Sequence, residues 1–131
     1  MQDALLALSD LLSTRVATAG AGVVSIHTGS RSQRTATLWR PGVLVTSELG
    51  LPSDASVPLV LAGGGRARAV LAGRDPGTNV AVLRFDLDGP VLPDPADTHV
   101  GALALMVGAA SDGSSTARLA MVHRLGPAWE S

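Results

Sequence analysis

Six short apolar runs, separated by turn residues, restrict most strongly how this chain can fold. They occupy residues 23–27, 34–39, 43–46, 57–62, 66–73 and 80–85. In the fifth run, Arg66, Arg68 and Val70 alternate with Ala67, Ala69 and Leu71. This two-residue period is typical of a half-buried strand. Short strands repeated at roughly 8–12 residues are typical of an antiparallel β-barrel or a β-sandwich. These runs therefore predict an all-β fold.

A leucine-rich segment at residues 2–18 precedes the strands and has helical periodicity. Asp3 is a suitable N-cap, and Gly20 and Gly22 end the segment. The residues that share one face of this helix are Leu5, Leu8, Leu12 and Val16. We expect the helix to pack across the outside of a barrel. The alternative is a leucine stripe that recruits a partner helix.

Two more strand-like runs follow the first six. A connector rich in Pro and Asp covers residues 89–98, and the runs at 103–107 and 116–125 are separated by a polar turn at 111–115. We therefore divide the chain into a helix (1–20), a β-barrel (21–88), and a connector with two further strands (89–131). A length of 131 residues is sufficient for one hydrophobic core.

Composition excludes several classes of function. A net charge of −1 provides no field that would attract nucleic acid, and aromatic residues, which stack on bases, make up only 2% of the chain. There is no cysteine, so disulfides and thiolate catalysis are excluded. His27, His99 and His123 are not at metal-ligand spacing. We expect neither a cofactor nor a metal.

The sequence also bears on location. No apolar run approaches the ~18 residues of a transmembrane helix. The first residues carry Asp3 and Asp10 and no cationic stretch, unlike a secretory signal. We therefore expect a cytoplasmic protein.

Several segments resemble trypsin-like serine proteases of the HtrA/Deg type. Residues 75–84, DPGTNVAVLR, resemble the family's D-P-x-T-D-[LIV]-A-V-L-[KR] segment. Residues 42–46, GVLVT, resemble the strand that leads into the catalytic histidine, and residues 100–108 resemble the strand that opens the second barrel. The resemblance implies a chymotrypsin-like six-stranded antiparallel barrel with an N-terminal α-helix and an incomplete second barrel.

The catalytic positions of that family are altered here. By the resemblance, Leu49 stands at the position of the histidine base and Asn79 at that of the acid which orients it. The family's G-[ND]-S-G-G-P nucleophile loop is absent, and Ser114, in the only Ser/Asp/Gly cluster, fits a solvated hairpin turn better than a nucleophile. Leucine cannot accept the serine proton. We predict a chain without protease activity.

A trypsin-like module that cannot catalyse is expected to work by binding another protein or a second copy of itself. The predicted partner-binding residues are Leu5, Leu8, Leu12, Leu103, Leu105, Val122 and Trp129. An assembly or stabilising subunit of a larger complex is the form we favour, because the two last strands would leave open edges and an apolar face. One half of a split serine protease and a peptide-binding module that does not cleave its ligand are the alternatives.

Overall fold

The structure of the chain, a computed structural model, describes residues 3–27, 34–94 and 96–127. Within these ranges, one helix is followed by eight strands. In chain order they are α1 (Ala4–Gly20), β1 (Val23–Ile26), β2 (Arg34–Arg40), β3 (Val43–Ser47), β4 (Ser56–Val60), β5 (Arg66–Asp75), β6 (Val80–Arg84), β7 (Leu103–Ala109) and β8 (Ser115–Met121).

Strands β1 to β6 form a closed antiparallel barrel in the order β1-β2-β3-β6-β5-β4. Each of the six predicted strands is present, with ends within two residues of the prediction. Pairing of β1 with β4, through Ser25 with Val60 and Ile26 with Leu59, closes the barrel. Closure removes the free sheet edges that a sandwich would leave. The predicted all-β fold with a six-stranded antiparallel barrel is therefore confirmed.

The barrel interior is filled by alternating strand residues. Leucine and valine side chains fill most of it, and alanines occupy positions on three of the strands. The fully buried members include Val24, Ala36, Leu38, Leu44, Ala69, Ala81 and Leu83. Small and large side chains in alternation fit the narrow interior of a six-stranded barrel. Thr46 is also buried, and its hydroxyl donates to the Thr35 carbonyl oxygen at 2.9 Å, so the polar group is satisfied.

Helix α1 begins as the sequence predicts. Asp3 is the N-cap, and its carboxylate accepts a hydrogen bond from the Leu5 N–H at 3.0 Å. The helix packs mainly against β7 and β8, and not across the barrel as expected. Buried Gly20 allows this approach, because a Cβ at that position would overlap the Ser115 hydroxyl. Within the described residues, no helix is long and apolar enough to cross a membrane.

Strands β7 and β8 form a separate two-stranded antiparallel sheet. It lies against the barrel beside β1 and β2, and the Ala109 N–H donates to the Thr35 hydroxyl at 2.9 Å. This contact explains why all four residues of β1 are buried: one side of the strand lines the core and the other lies under β7. The small second sheet predicted from the sequence is thus present, and β8 ends at Met121, four residues earlier than predicted.

Candidate functional site

The segment after β3 and the turn before β6 meet at one end of the barrel. Strand β3 pairs with β6 in antiparallel register, and its last pair joins Ser47 to Val80. The residues that follow Ser47 are consequently adjacent to the residues that precede Val80. This topology brings Leu49 and Asn79 together, although 30 positions separate them in the sequence.

Asn79 connects the two segments through its side chain and its backbone. Its Oδ1 accepts a hydrogen bond from the Leu49 N–H at 2.7 Å and another from the Ser47 hydroxyl at 3.0 Å. Its carbonyl oxygen accepts from the Glu48 N–H at 3.2 Å. Asn79 has a φ of 57°, in the left-handed region where asparagine is tolerated better than most residues.

The side chain of Leu49 points into solvent and is 71% exposed. Leu51, two residues later, is buried in the barrel core. The turn between them needs the positive φ of Gly50, 73°, and a Cβ there would overlap the guanidinium of Arg34. Leu51 therefore anchors the segment, and Leu49 is left on its outer side.

Arg74 holds the same segment from the side of β5. Its guanidinium pairs with the Glu48 carboxylate at 2.6 Å and donates to the carbonyl oxygens of Leu51 and Pro52 at 3.0 and 3.1 Å. The Glu48 side chain is only 13% exposed. A partly buried carboxylate with a charged partner is held in one geometry. The Glu48 carboxylate therefore helps to hold the segment after β3 in place through its ion pair with Arg74.

The turn that precedes Asn79 uses both oxygens of Asp75. Oδ1 accepts from the Gly77 N–H at 3.0 Å, and Oδ2 accepts from the Thr78 hydroxyl at 2.8 Å. Such side-chain-to-backbone bonds stabilise a turn after a strand. Asp75 therefore stabilises the turn that leads from β5 to Asn79.

Among the described residues, Glu48 beside Leu49 and Asp75 in the turn before Asn79 carry carboxylates, both with the partners described above. No histidine occurs between His27 and His99 in the sequence. His27 lines a shallow depression with Pro58 and Arg68, among the residues of β4 and β5. In residues 3–27, 34–94 and 96–127, no three His, Cys, Asp or Glu side chains are grouped closely enough to hold a metal ion.

The Ser/Asp/Gly cluster lies in the hairpin turn between β7 and β8. The Ser114 hydroxyl and N–H both donate to Asp112 Oδ1, at 2.5 and 2.9 Å. These bonds lower the pKa of the Asp112 carboxyl, the hydroxyl contributing most. The Ser114 oxygen is thus bonded to a carboxylate, in a turn whose Gly113 packs against the barrel.

The predicted partner-binding residues are divided between exposed and half-buried positions. Leu5 and Leu8 on α1 and Leu103 on β7 are exposed. Leu12, Leu105 and Val122 are half-buried. Trp129 lies outside the described residues. Leu5, Leu8 and Leu12 lie on α1 and Leu103 and Leu105 on β7, two elements that pack against each other.

An apolar groove of about 480 Å³ lies where α1, β1, β2, the connector and β7 meet. Leu105 and Val107 of β7 line one side of it, and Val91 and Leu92 of the connector line another. Arg15 of α1 is the charged residue in the lining. The groove is on the second-sheet side of the barrel, among residues other than those around Leu49 and Asn79.

Two features of the site were not predicted from the sequence. The first is the Arg74–Glu48 ion pair, and the second is the Arg34 guanidinium, which donates to the Ser47 carbonyl oxygen at 3.3 Å. The available signal for the ion pair was the opposite charge of Glu48, which adjoins Leu49, and Arg74, which precedes Asn79 by five residues, since the resemblance already placed Leu49 and Asn79 together.

Comparison with known proteins supports the fold. No protein-family model matches the chain, and no curated protein matches it. Among solved structures, the serine endoprotease from Yersinia pestis superposes with a TM-score of 0.73 at 21% sequence identity. The match covers 87% of this chain and 44% of that one, so the chain spans less than half the length of this structural neighbour. At this identity the likeness shows a trypsin-like, chymotrypsin-type fold.

Proposed function

We propose that this chymotrypsin-like domain binds another protein and does not hydrolyse peptide bonds. The observation that carries the proposal is the pairing of Leu49 with Asn79: the Leu49 N–H donates to Asn79 Oδ1 at 2.7 Å, and the leucine side chain is exposed beside it. By the resemblance these two positions would hold the histidine base and its acid. An aliphatic group and an amide stand there instead.

Serine protease chemistry needs a base that takes the serine proton and returns it to the leaving group. Loss of the base alone costs about 10⁶ in kcat in a well-studied serine protease. Neither Leu49 nor Asn79 can titrate in the working pH range. The nearby carboxylates of Glu48 and Asp75 are bonded to Arg74 and to the 75–79 turn, respectively. The proposal of inactivity rests on this chemistry.

The binding half of the proposal is supported by apolar side chains that are exposed on α1 and on the second sheet. Leu5 of α1, Leu103 of β7, and Leu119 and Met121 of β8 are all exposed. Leu103 pairs directly with Met121, and Leu105 with Leu119, so these side chains share one face of the sheet. Exposed apolar groups that neighbour one another, as these sheet residues do, mark sites of protein interaction. A stabilising or assembly subunit is the form of function that fits them.

Catalytic inactivity is tested by an attempted repair. The variant Leu49→His with Asn79→Asp supplies an imidazole and a carboxylate at the two paired positions. We expect casein hydrolysis by the wild-type chain and by this variant to equal the buffer rate, because the sequence lacks the family's G-[ND]-S-G-G-P nucleophile loop. Turnover by the wild-type chain would contradict the proposal.

Binding is tested by photo-crosslinking in the cells from which the protein comes. A benzoyl-phenylalanine at position 103 on β7 should give one discrete adduct. The matched control is position 70 on the barrel strand β5, where Val70 is also exposed. Equal labelling from both positions, or none from position 103, would overturn the proposed binding surface.

A further inference from the structure

Three basic side chains surround a small depression, the His27 depression, on the outer face of the barrel, where β1, β4 and β5 lie side by side. Its volume is about 220 Å³, and its lining includes His27, Pro58, Val60, Arg66 and Arg68. This volume is below the ~300–1,000 Å³ of pockets that enclose drug-sized molecules. The His27 depression is therefore suited to a small chemical group.

Strand register brings the basic side chains together. The His27 N–H donates to the Pro58 carbonyl oxygen at 3.0 Å, which extends the pairing of β1 with β4 by one residue, and Pro58 pairs in turn with Arg68. Ala69, next to Arg68, is buried in the barrel core, and side chains alternate between the two faces of a strand. Arg66 and Arg68 therefore share the outer face of β5. His27 lies two strands away, about 10 Å at the usual strand spacing.

Arg68 is held in a defined orientation by Ser56. Its Nε donates to the Ser56 hydroxyl at 2.7 Å, and its Nη2 donates to the Ser56 carbonyl oxygen at 3.3 Å. A guanidinium has five N–H donors, so three of them remain for a ligand. Because two bonds already orient the group, less side-chain freedom is lost when an anion binds to it.

The strands around the depression supply no carboxylate that would neutralise these arginines. Residues 11–47 and 55–74, which include β1, β4 and most of β5, contain no aspartate or glutamate. Within the part of the chain that the structure describes, neither Arg66 nor Arg68 forms an ion pair. The positive charge of both guanidinium groups is thus available to a ligand.

The turn before β8 brings one acidic residue, Asp112, to the 61–65 hairpin, where its carbonyl oxygen lies beside Gly64. Its carboxylate accepts the hydrogen bonds from the Ser114 hydroxyl and N–H. Asp112 does not line the His27 depression and forms no ion pair with Arg66. It therefore leaves the donors of the depression unoccupied.

The donors indicate the chemistry of the ligand. Guanidinium forks match the oxygens of phosphate, and an imidazole has an N–H to donate in either protonation state. Three donor groups around one small depression suit the three terminal oxygens of a phosphate monoester better than the two oxygens of a carboxylate. The residues that line the depression include no aromatic ring other than the His27 imidazole, so a nucleotide base has no larger ring on which to stack.

We propose that the His27 depression binds a phosphate group, free or as the monoester of a small aliphatic molecule, through Arg66, Arg68 and His27. The site goes beyond the proposed function, because it lies on the barrel strands β1, β4 and β5 and not on the second sheet.

The test is a titration of the isotope-labelled chain at neutral pH and constant ionic strength, followed by backbone amide chemical shifts in NMR. The probes are inorganic phosphate, glycerol 3-phosphate and, as a dianion without phosphorus, succinate. We expect saturable shifts at His27, Arg66 and Arg68 with both phosphates, and a Kd at least tenfold higher for succinate. Tighter binding of glycerol 3-phosphate would assign the site to monoesters, and equal or tighter binding of inorganic phosphate would assign it to the free anion.

Variants test the arginines individually. Arg66→Gln and Arg68→Gln should each raise the Kd for phosphate at least fivefold, because each removes charged hydrogen-bond donors. The matched control is Arg118→Gln, which removes the same charge from an exposed position on β8 and should leave the Kd within twofold. Arg66 has no ion pair to lose among the described residues, so its variant tests the site even where Arg68→Gln fails to fold.

Three results would overturn the inference. The first is shifts that do not saturate with either phosphate or that are matched by succinate, and the second is a folded Arg66→Gln variant that binds phosphate as the wild type does. The third is an Arg118→Gln control that weakens binding as much as Arg66→Gln, since net charge alone would then account for the effect. None of these bears on casein hydrolysis or on the crosslink from position 103, so failure of the inference is distinguishable from failure of the proposed function.

Discussion

Replacing Asn79 by alanine and by glycine distinguishes the stability contributed by its side-chain hydrogen bonds from the stability contributed by its backbone conformation. Its Oδ1 accepts two hydrogen bonds, from the Leu49 N–H and the Ser47 hydroxyl, each worth about 1 kcal/mol. Its φ of 57° costs an alanine about a further 1 kcal/mol. Asn79→Ala should therefore lower the free energy of unfolding by about 3 kcal/mol. Asn79→Gly loses the same bonds without the backbone strain and should lose about 2 kcal/mol.

Asn79→Asp is the matched control, because a carboxylate oxygen can accept both hydrogen bonds. We expect its free energy of unfolding to lie within about 1 kcal/mol of the wild type. Urea unfolding measures all three variants; with a slope of about 1.5 kcal/mol per M, the alanine variant should unfold at about 2 M less urea. An alanine variant as stable as wild type, or a glycine variant less stable than alanine, would refute the roles assigned to Asn79.

Three further predictions concern neighbouring contacts. Arg74→Ala should lower the free energy of unfolding by about 3 kcal/mol, since it leaves the Glu48 carboxylate partly buried without its partner; Glu48→Gln should cost about 1 kcal/mol, and urea unfolding checks both. Gly113→Ala should shift the thermal midpoint downward by at least about 5 °C, because its φ is 86° and a Cβ would overlap a barrel carbonyl; an unchanged midpoint would contradict the packing. The pKa of Asp112 is lowered by the Ser114 hydroxyl, so the contribution of this carboxylate to stability is present above its ordinary pKa and is lost as the pH falls through the lowered one. Carboxyl NMR titration should show this pKa rising toward its ordinary value in Ser114→Ala, and no change would contradict the assignment.

The strands of the barrel were predictable because each corresponds to a separate apolar run in the sequence. Each run is bounded by glycine, proline or polar residues, and the interior positions alternate at the strand period. The closing of β1 on β4 could not be read from periodicity, which fits a sandwich equally well. The resemblance to trypsin-like proteases supplied the choice of a barrel.

The meeting of Leu49 with Asn79 was expected only through that resemblance. The contacts that hold them were not predicted, because they depend on the register of β3 with β6 and on the reach of Arg74 across the 48–52 segment. Local sequence patterns do not specify which long-range polar partners a side chain will choose.

The surface against which α1 packs could not be predicted from the sequence. Its apolar stripe predicts a helix that packs on something, and the amphipathic pattern does not say on what. Small residues decide the contact, since the close approach occurs at Gly20 beside Ser115. Only the C-terminal part of the apolar stripe is consequently packed. Leu12 and Val16 are half-buried, and the leucines nearer the N-terminus remain exposed.

The most direct test of the central proposal is active-site labelling of the purified chain. A fluorophosphonate forms a covalent adduct with a serine only where a base activates the hydroxyl. We predict no adduct in intact-protein mass spectrometry, under conditions that label trypsin completely. A stoichiometric adduct on a single serine of this chain would show an activated nucleophile and would contradict the proposal that Leu49 and Asn79 leave the domain without protease chemistry.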